Sequence, residues 1–324
     1  MSRTTPGILA LALALACSNA GSDLSFAPTA KRTILARVFL DRDGSGALSS
    51  SDTVFPGARV FLRPSAGGQP IQTVTSNALG LSFFEQVPVG EYSLTLDSAS
   101  IGDSLEVALV DPTSFPLRAG DTTVAVTVRL TYHQLSLAEA RSAAAGRRVL
   151  VRGLILAGVQ SFRDTTSHLQ DFSGRIRLTR VSLRGGLTGN SPGDSVVVIG
   201  TVSSRAGQPT LDQAIIVLVG TRPAPIPFSI NTAQAASAQG GTLDAALVQI
   251  TGAIISDTSS VGPDLRVVGS DGSGPVTVIL DPFGGFNRAA FAPGRPMTVR
   301  GVLVPTGAGQ WQLKPRNGGD ATVF

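Results

Sequence analysis

The sequence predicts an all-β protein: an N-terminal sandwich followed by two five-stranded barrels in tandem. Three observations predict it. The 324 residues include 37 glycines and 20 prolines but only 5% aromatics, a composition of many turns between short strands. Apolar runs rich in Val, Ile and Thr recur about every ten residues, the spacing of sandwich strands. The second half of the chain repeats itself at an interval of about 100 residues, the mark of a tandem duplication.

The chain opens with Arg3 and the apolar run Ile8–Ala16, followed by Cys17, the only cysteine. A positive residue before a run half as long as a membrane span reads as a secretory leader. Ala14-Leu15-Ala16-Cys17 resembles the bacterial lipobox, with its usual Leu one place early at Leu13. The resemblance implies cleavage before Cys17 and lipidation of its thiol; ordinary cleavage after Ala16 is the alternative. Acylation by two or more chains would suffice for stable membrane attachment. Ser18 after the cysteine, by likeness to bacterial sorting, favours the outer membrane. With no second cysteine there is no disulfide framework, so stability must come from cores or a metal.

Residues 1–16 are therefore read as leader and 17–31 as anchor and linker. Residues 32–134 form the sandwich, 135–221 the first barrel and 222–324 the second. In the sandwich, strands are expected at Ile34–Leu40, Ala58–Leu62, Ile71–Thr75, Leu81–Phe84, Tyr92–Leu96, Leu105–Val110 and Thr123–Leu130. Gly80 and Gly90 stand between apolar runs where a positive φ is commonly needed.

After Leu135 the two copies align through Gly153 and Gly252, Gly174 and Gly274, Gly200 and Gly301, and Leu211 and Leu313, which stand 99 to 102 residues apart. Each copy begins with an Ala-rich helical segment, Ser136–Ala145 or Thr232–Ala238. About five strands follow, with a Pro-Gly turn before the fourth, as in a partly open Greek-key barrel of the OB type.

The strongest chemical motif is Asp41-Arg-Asp43-Gly-Ser45-Gly46-Ala47-Leu-Ser49-Ser-Ser-Asp52, which has the spacing of a twelve-residue calcium loop. Asp41, Asp43 and Ser45 occupy its first, third and fifth positions, and Gly46 its turn. Ala47 would offer a carbonyl, Ser49 a hydroxyl or a water, and Asp52 a short-armed closing carboxylate. Three carboxylates suit weak extracellular binding, at a Kd of about 10⁻⁴ to 10⁻³ M. The alternative is a solvated polar turn. Asp271-Gly-Ser-Gly274, without nearby carboxylates, reads as a tight hairpin turn.

Val38–Gly46, Pro56–Leu62 and Val87–Leu94 together resemble the B-type repeat domains of bacterial surface adhesins and related prealbumin-like modules. The likeness spans residues 33–131. It implies an immunoglobulin-like sandwich serving as stalk or spacer, often with calcium. Ser76-Asn77 and Leu81 depart from the family's usual Thr-Asp and aromatic. A Lys–Asn isopeptide lock is not expected, because Lys31 precedes the first strand and Lys314 is the only other lysine. Ser136–Arg141, Val149–Gly153, Leu169–Gly174 and Gly193–Gly200 resemble OB-fold domains of exported bacterial proteins, some found beside extracellular nucleases.

Catalytic signatures are lacking: two histidines, His133 and His168, and no nucleophile elbow, phosphate loop or zinc helix. His168, between Asp164 and Asp171, reads as part of a polar turn. No enzymatic activity is expected. The first barrel is basic, ten arginines against five acids over residues 136–220. Alternation of Arg175, Ile176, Arg177 and Leu178 would point both guanidiniums outward. With Arg180 and Arg184 they could follow a phosphate backbone while Phe162 and Phe172 stack bases. The alternative is an ordinary solvated face with Phe172 as a core plug. The function expected is a lipid-anchored envelope module with a calcium-supported spacer and two ligand-presenting barrels. Single-stranded nucleic-acid binding, or service to an exported hydrolase, are the other readings.

Overall fold

The computed structural model describes residues 31–184, 189–307 and 309–324. The leader, the tether and Cys17 lie outside the described residues. Among those described, no helix is long and apolar enough to cross a membrane.

Alternation of small and branched apolar residues builds the sandwich. In β1 (Arg32–Leu40), Ile34, Ala36 and Val38 are wholly buried while the intervening side chains face outward. The next eight strands are β2 (Thr53–Val54), β3 (Arg59–Pro64), β4 (Gln72–Thr75), β5 (Leu81–Val87), β6 (Gly90–Leu96), β7 (Leu105–Asp111), β8 (Phe115–Leu117) and β9 (Thr123–Tyr132). One sheet runs β2-β1-β9-β7 with β5 beside β1, and the other β4-β3-β6-β8. Val60, Leu62, Phe84, Leu117 and Leu130 fill the space between them. All seven expected strands form. The two missed, β2 and β8, are too short to show alternation. A one-turn helix, α1 (Ser98–Ile101), capped by Asp97, was also unforeseen. Gly80 does adopt a positive φ of 69°, and a Cβ there would strike the Val38 carbonyl. Gly90 does not. It opens β6 in extended conformation beneath the Tyr92 ring.

The duplicated halves form two closed barrels of identical strand order. The first comprises β10 (Gln134–Leu135), α2 (Leu137–Ser142), β11 (Arg148–Ala157), β12 (Ser167–Gln170), β13 (Arg175–Leu178), β14 (Ser182–Leu183), β15 (Asp194–Arg205) and β16 (Gln208–Thr221). The second comprises β17 (Phe228–Ser229), α3 (Thr232–Ala236), β18 (Leu247–Val261), β19 (Asp264–Ser270), β20 (Val276–Leu280), β21 (Pro296–Gly307), β22 (Gln310–Lys314) and β23 (Ala321–Val323). Pairing runs β11-β12-β13-β16-β15 and back to β11, with β13 and β16 parallel. The second closes the same way through β18-β19-β20-β22-β21, with β20 and β22 parallel. Five strands in that order, each ring closed by one parallel pair, are OB-type barrels. Gly153 and Gly301 let strands meet closely: a Cβ on Gly153 would strike the Gln170 carbonyl, and one on Gly301 the Lys314 carbonyl.

Both helices are shorter than expected and are held by the same device. Ser136 and Asn231 each form a capping box, with Glu139 and Gln234. The turn between the second and third barrel strands then reaches over to the helix start. Leu137 N donates to Asp171 (2.9 Å) and Ala138 N to Ser173 Oγ (3.0 Å). Thr232 N donates to Asp271 (3.1 Å) and Ala233 N to Ser273 Oγ (3.1 Å). Hydrogen bonds from Ser273 and Thr232 hold the Asp271 carboxyl well below the usual carboxylate range. Asp271–Gly274 is thus a hairpin turn, as expected, and also a helix clamp. Asp271→Ala should cost the second barrel about 1–2 kcal/mol, read as a lower urea midpoint at unchanged slope.

The three units pack on one another. Tyr132, Leu150 and Ile199 join sandwich to first barrel. Leu156, Ala157 and Phe162 of the first barrel bury against Leu247, Val302 and Val304 of the second. Arg141 Nη1 donates to Asp244 across the barrel–barrel joint (3.0 Å), and Asp244 also accepts from Trp311 Nε1 (2.9 Å). Arg316, paired with Asp320, reaches the Leu156 carbonyl (2.9 Å).

Candidate functional site

The loop after β1 folds its three aspartates inward. Asp41, Asp43 and Asp52 each present a carboxylate oxygen, and these lie within 4.8 Å of one another. Asp41 and Asp43 are 4% and 7% exposed, unusual for aspartates in a surface turn. Gly46 N donates to Asp41 Oδ2 (2.9 Å), and Arg129 Nη1 stands 3.6 Å from the same oxygen. Asp41 Oδ1 is buried with no hydrogen-bond partner. Burial, reinforced by the charge of Asp52, pushes the Asp41 carboxyl above its ordinary range.

Asp43 differs. Burial works against its charge, but hydrogen bonds from Ser51 and Ser45 prevail and hold it down at about 2. Ser45 N donates to Asp43 Oδ1 (3.0 Å), while both Ser49 and Ser51 hydroxyls point at Oδ2. Asp52 closes the loop through Arg42 N (2.9 Å) and Ser49 N (2.7 Å). The expected ligands Ser45 and Ala47 bond each other, Ser45 Oγ donating to the Ala47 carbonyl (3.0 Å). Ser51 is the residue the spacing missed. The pattern gives alternate positions the ligand roles, and Ser51 reaches the cluster only because residues 49–52 curl into a turn.

The loop also sits at a joint. A Cβ on Gly44 would stand 3.1 Å from Val217 Cγ2 and 3.7 Å from Ile199 Cδ1, both in the first barrel. A groove shared by the two units is lined by Asp41, Gly44 and Arg129 on one side and Leu150, Val197 and Val217 on the other. Sequence spacing carries no trace of this contact.

The basic stripe expected on the first barrel does not form. Arg177 is 5% exposed, its Nε and Nη2 buried without partners, because the second barrel covers the outer face of β13. Burial, with the Arg205 charge, pushes the Arg177 guanidinium below its ordinary value, and the Asp244 and Asp164 charges offset only part of that. Arg175, which was also expected to point outward, is half-buried and stacks over Phe228, 4.5 Å from the ring centroid. Arg180 is exposed but bound by Asp212 through both Nε and Nη2. Arg184 alone remains exposed without an ion pair among the described residues. Phe162 is buried in the barrel–barrel core and unavailable to a base. Phe172, conversely, is no core plug: its side chain is 100% exposed.

His168 is likewise not in a polar turn. It lies in β12 opposite Arg177, is 1% exposed, and both ring nitrogens are without partners among the described residues. Burial, with the neighbouring Arg177 charge, pushes its pKa down to about 3. Phe162 meets it edge-on at 6.0 Å.

No protein-family model matches the chain, and no curated protein matches it. Among solved structures, part of the chain is similar to the Stn1–Ten1 complex of S. pombe, at 20% identity and a TM-score of 0.21 over 24% of this chain and 57% of that one. A second is GBS52, the minor pilin of Streptococcus agalactiae, at 11% identity and a TM-score of 0.25 over 32% of this chain and 45% of that one. A third is a murine DNA-binding protein bound to double-stranded DNA, at 8% identity and a TM-score of 0.29 over 54% of this chain and 97% of that one. The chain thus spans about half the length of the first two. Assignment to sandwich and OB-type barrels stands on the strand order and register given above.

Proposed function

We propose that the protein is a non-catalytic, exported module, held to the cell envelope through Cys17, whose calcium loop braces the sandwich against the first barrel. The observation that carries the calcium reading is Asp41, which has a buried carboxylate oxygen, Oδ1, without a partner among the described residues and belongs to a cluster with Asp43 and Asp52 whose carboxylate oxygens lie within 4.8 Å of one another. A buried anion in that state is costly unless compensated, and Arg129 at 3.6 Å touches only the other oxygen. A hard divalent cation that prefers oxygen donors fits this set. The seryl oxygens of residues 45, 49 and 51 and bound water would complete its shell.

The bracing role is supported by position. Gly44, inside the loop, has Val217 of the first barrel in contact distance, so whatever orders the loop orders the joint. A non-catalytic role is supported by the inaccessibility of His168 and by the joints, which use many ionisable groups as clamps. The nucleic-acid reading loses Arg175, Arg177 and Arg180 to packing and pairing.

Isothermal titration of the mature chain tests the metal. Calcium should bind at about 10⁻⁴ to 10⁻³ M, and Asp43→Ala should abolish the heat. At one hundred times Kd the gain is about 2.7 kcal/mol, visible as a higher melting temperature. Absence of binding at 10 to 20 times the upper Kd would end the reading. Mass spectrometry of the mature N-terminus tests the anchor: an acylated Cys17 is expected, and an intact leader would contradict it.

A further inference from the structure

We infer that a groove on the first barrel, whose lining residues differ from those at matching positions of its duplicate, binds a small organic anion with a planar or apolar body. The groove has a volume of about 590 Å³, within the range of about 300–1,000 Å³ typical of small-molecule sites. Leu135 and Leu154 supply apolar floor, Gln134 and Gln170 side-chain amides, and Arg152, Arg222 and Phe172 the rim.

The comparison of the two copies carries the argument. Phe172 sits in the turn that clamps α2, and the matching position in the α3 clamp is Gly272, with φ 99°. Both turns make the same Asp and Ser bonds to their helix, so the turn does not require the ring. The phenyl group stands fully in solvent at the groove, where it offers an aromatic face that the duplicate lacks. The polar groups differ likewise. Arg152 aligns with Thr251 and Gln170 with Ser270, so the second barrel has neither the charge nor the amide.

The groove lining carries two guanidiniums, Arg152 and Arg222, against one carboxylate, Asp171. Arg152 Nε donates to the neutral Gln134 Oε1 (2.8 Å), which fixes the guanidinium's plane without neutralising it. Arg222 makes no ion pair among the described residues. The Asp171 carboxylate, itself in the lining, accepts from Leu137 N, Ser173 N and Gly174 N and pairs with neither arginine. Two guanidiniums beside one aromatic face and an apolar floor fit a carboxylate or phosphate attached to a flat or greasy body. A single ring, with no second aromatic to stack a following base, favours a small ligand over a nucleic-acid strand.

Fluorescence titration of the full chain with 2-naphthoate, and with uncharged 2-naphthamide, tests the site. Naphthoate should bind at least about tenfold more tightly than naphthamide, since charge-assisted bonds discriminate on that scale. R152Q and R222Q should each weaken naphthoate by about tenfold and Phe172→Ala by about fivefold, with melting curves unchanged because all three side chains are exposed. Asp43→Ala should leave binding intact, which separates this site from the calcium loop. Competition by adenosine monophosphate would indicate a phosphate source and its absence a carboxylate source. Equal binding of naphthoate and naphthamide, or indifference to both arginine changes, would overturn the inference. So would displacement by ten-residue oligo(dT) at far lower concentration than by the mononucleotide.

Discussion

Asp244→Ala should destabilise the barrel pair by about 3–5 kcal/mol, the cost of breaking a buried ion pair from one side. Asp244 is 3% exposed and serves two partners from different elements, Arg141 at 3.0 Å and Trp311 Nε1 at 2.9 Å. Its removal strands a guanidinium and an indole N–H inside the joint, where Nε and Nη2 of Arg177 are already buried without partners among the described residues. Calorimetry should show the barrels melting earlier, with the sandwich transition unmoved. Asp244→Asn should recover part of the loss by keeping an acceptor for Trp311. A shift below about 1 kcal/mol for the alanine variant would mean that the apolar contacts of Leu156, Phe162, Leu247 and Val302 hold the joint without it.

Acid should weaken the first barrel well before its carboxylates titrate. His168 is neutral in the fold, with a pKa of about 3, against about 6.5 in an unfolded chain. Protonation therefore favours the unfolded state. The stability from this group is whole above about pH 6.5 and falls by about 1.4 kcal/mol per unit as pH drops towards 3. Between pH 7.5 and 4 the loss is on the order of 3 kcal/mol. Asp43, held at about 2, begins to lose its contribution only below about pH 4, whereas Asp41, pushed up by burial, also responds to acid, so between about pH 4.5 and 6.5 the histidine's share is the part of the slope that a His168 variant removes. His168→Leu should flatten that part of the profile and, by removing two buried nitrogens without partners, leave stability at pH 7.5 equal or about 1 kcal/mol higher. An unaltered slope in the leucine variant would place the pH dependence elsewhere.

These joints mark the limit of what was legible in the sequence. Apolar runs bounded by turn residues, such as Ile34–Leu40, and the glycine register of the two copies were readable because they follow from local geometry and repetition. So was the convergence of Asp41, Asp43 and Asp52, which depends on one short loop. Arg177 was misread because alternation places a side chain on the outer face of a strand but does not say what lies over that face. The second barrel lies there, and an outward arginine became a buried one. His168 was misread because its flanking aspartates suggest a turn, whereas it lies in the short strand β12, buried opposite Arg177. Phe172 shows the converse: of its two readings the core plug fails, because the turn that clamps α2 leaves its ring in solvent. Gly44 and Val217, 173 residues apart, meet only when sandwich and barrel dock.

That last contact makes the coupling of metal and joint measurable in one titration. Calcium affinity of the full chain should fall several-fold in Val217→Phe, an uncharged change in a different unit that supplies no ligand, because binding and docking are linked reciprocally. Identical calcium isotherms for the two proteins, or no isotherm for either, would contradict the account.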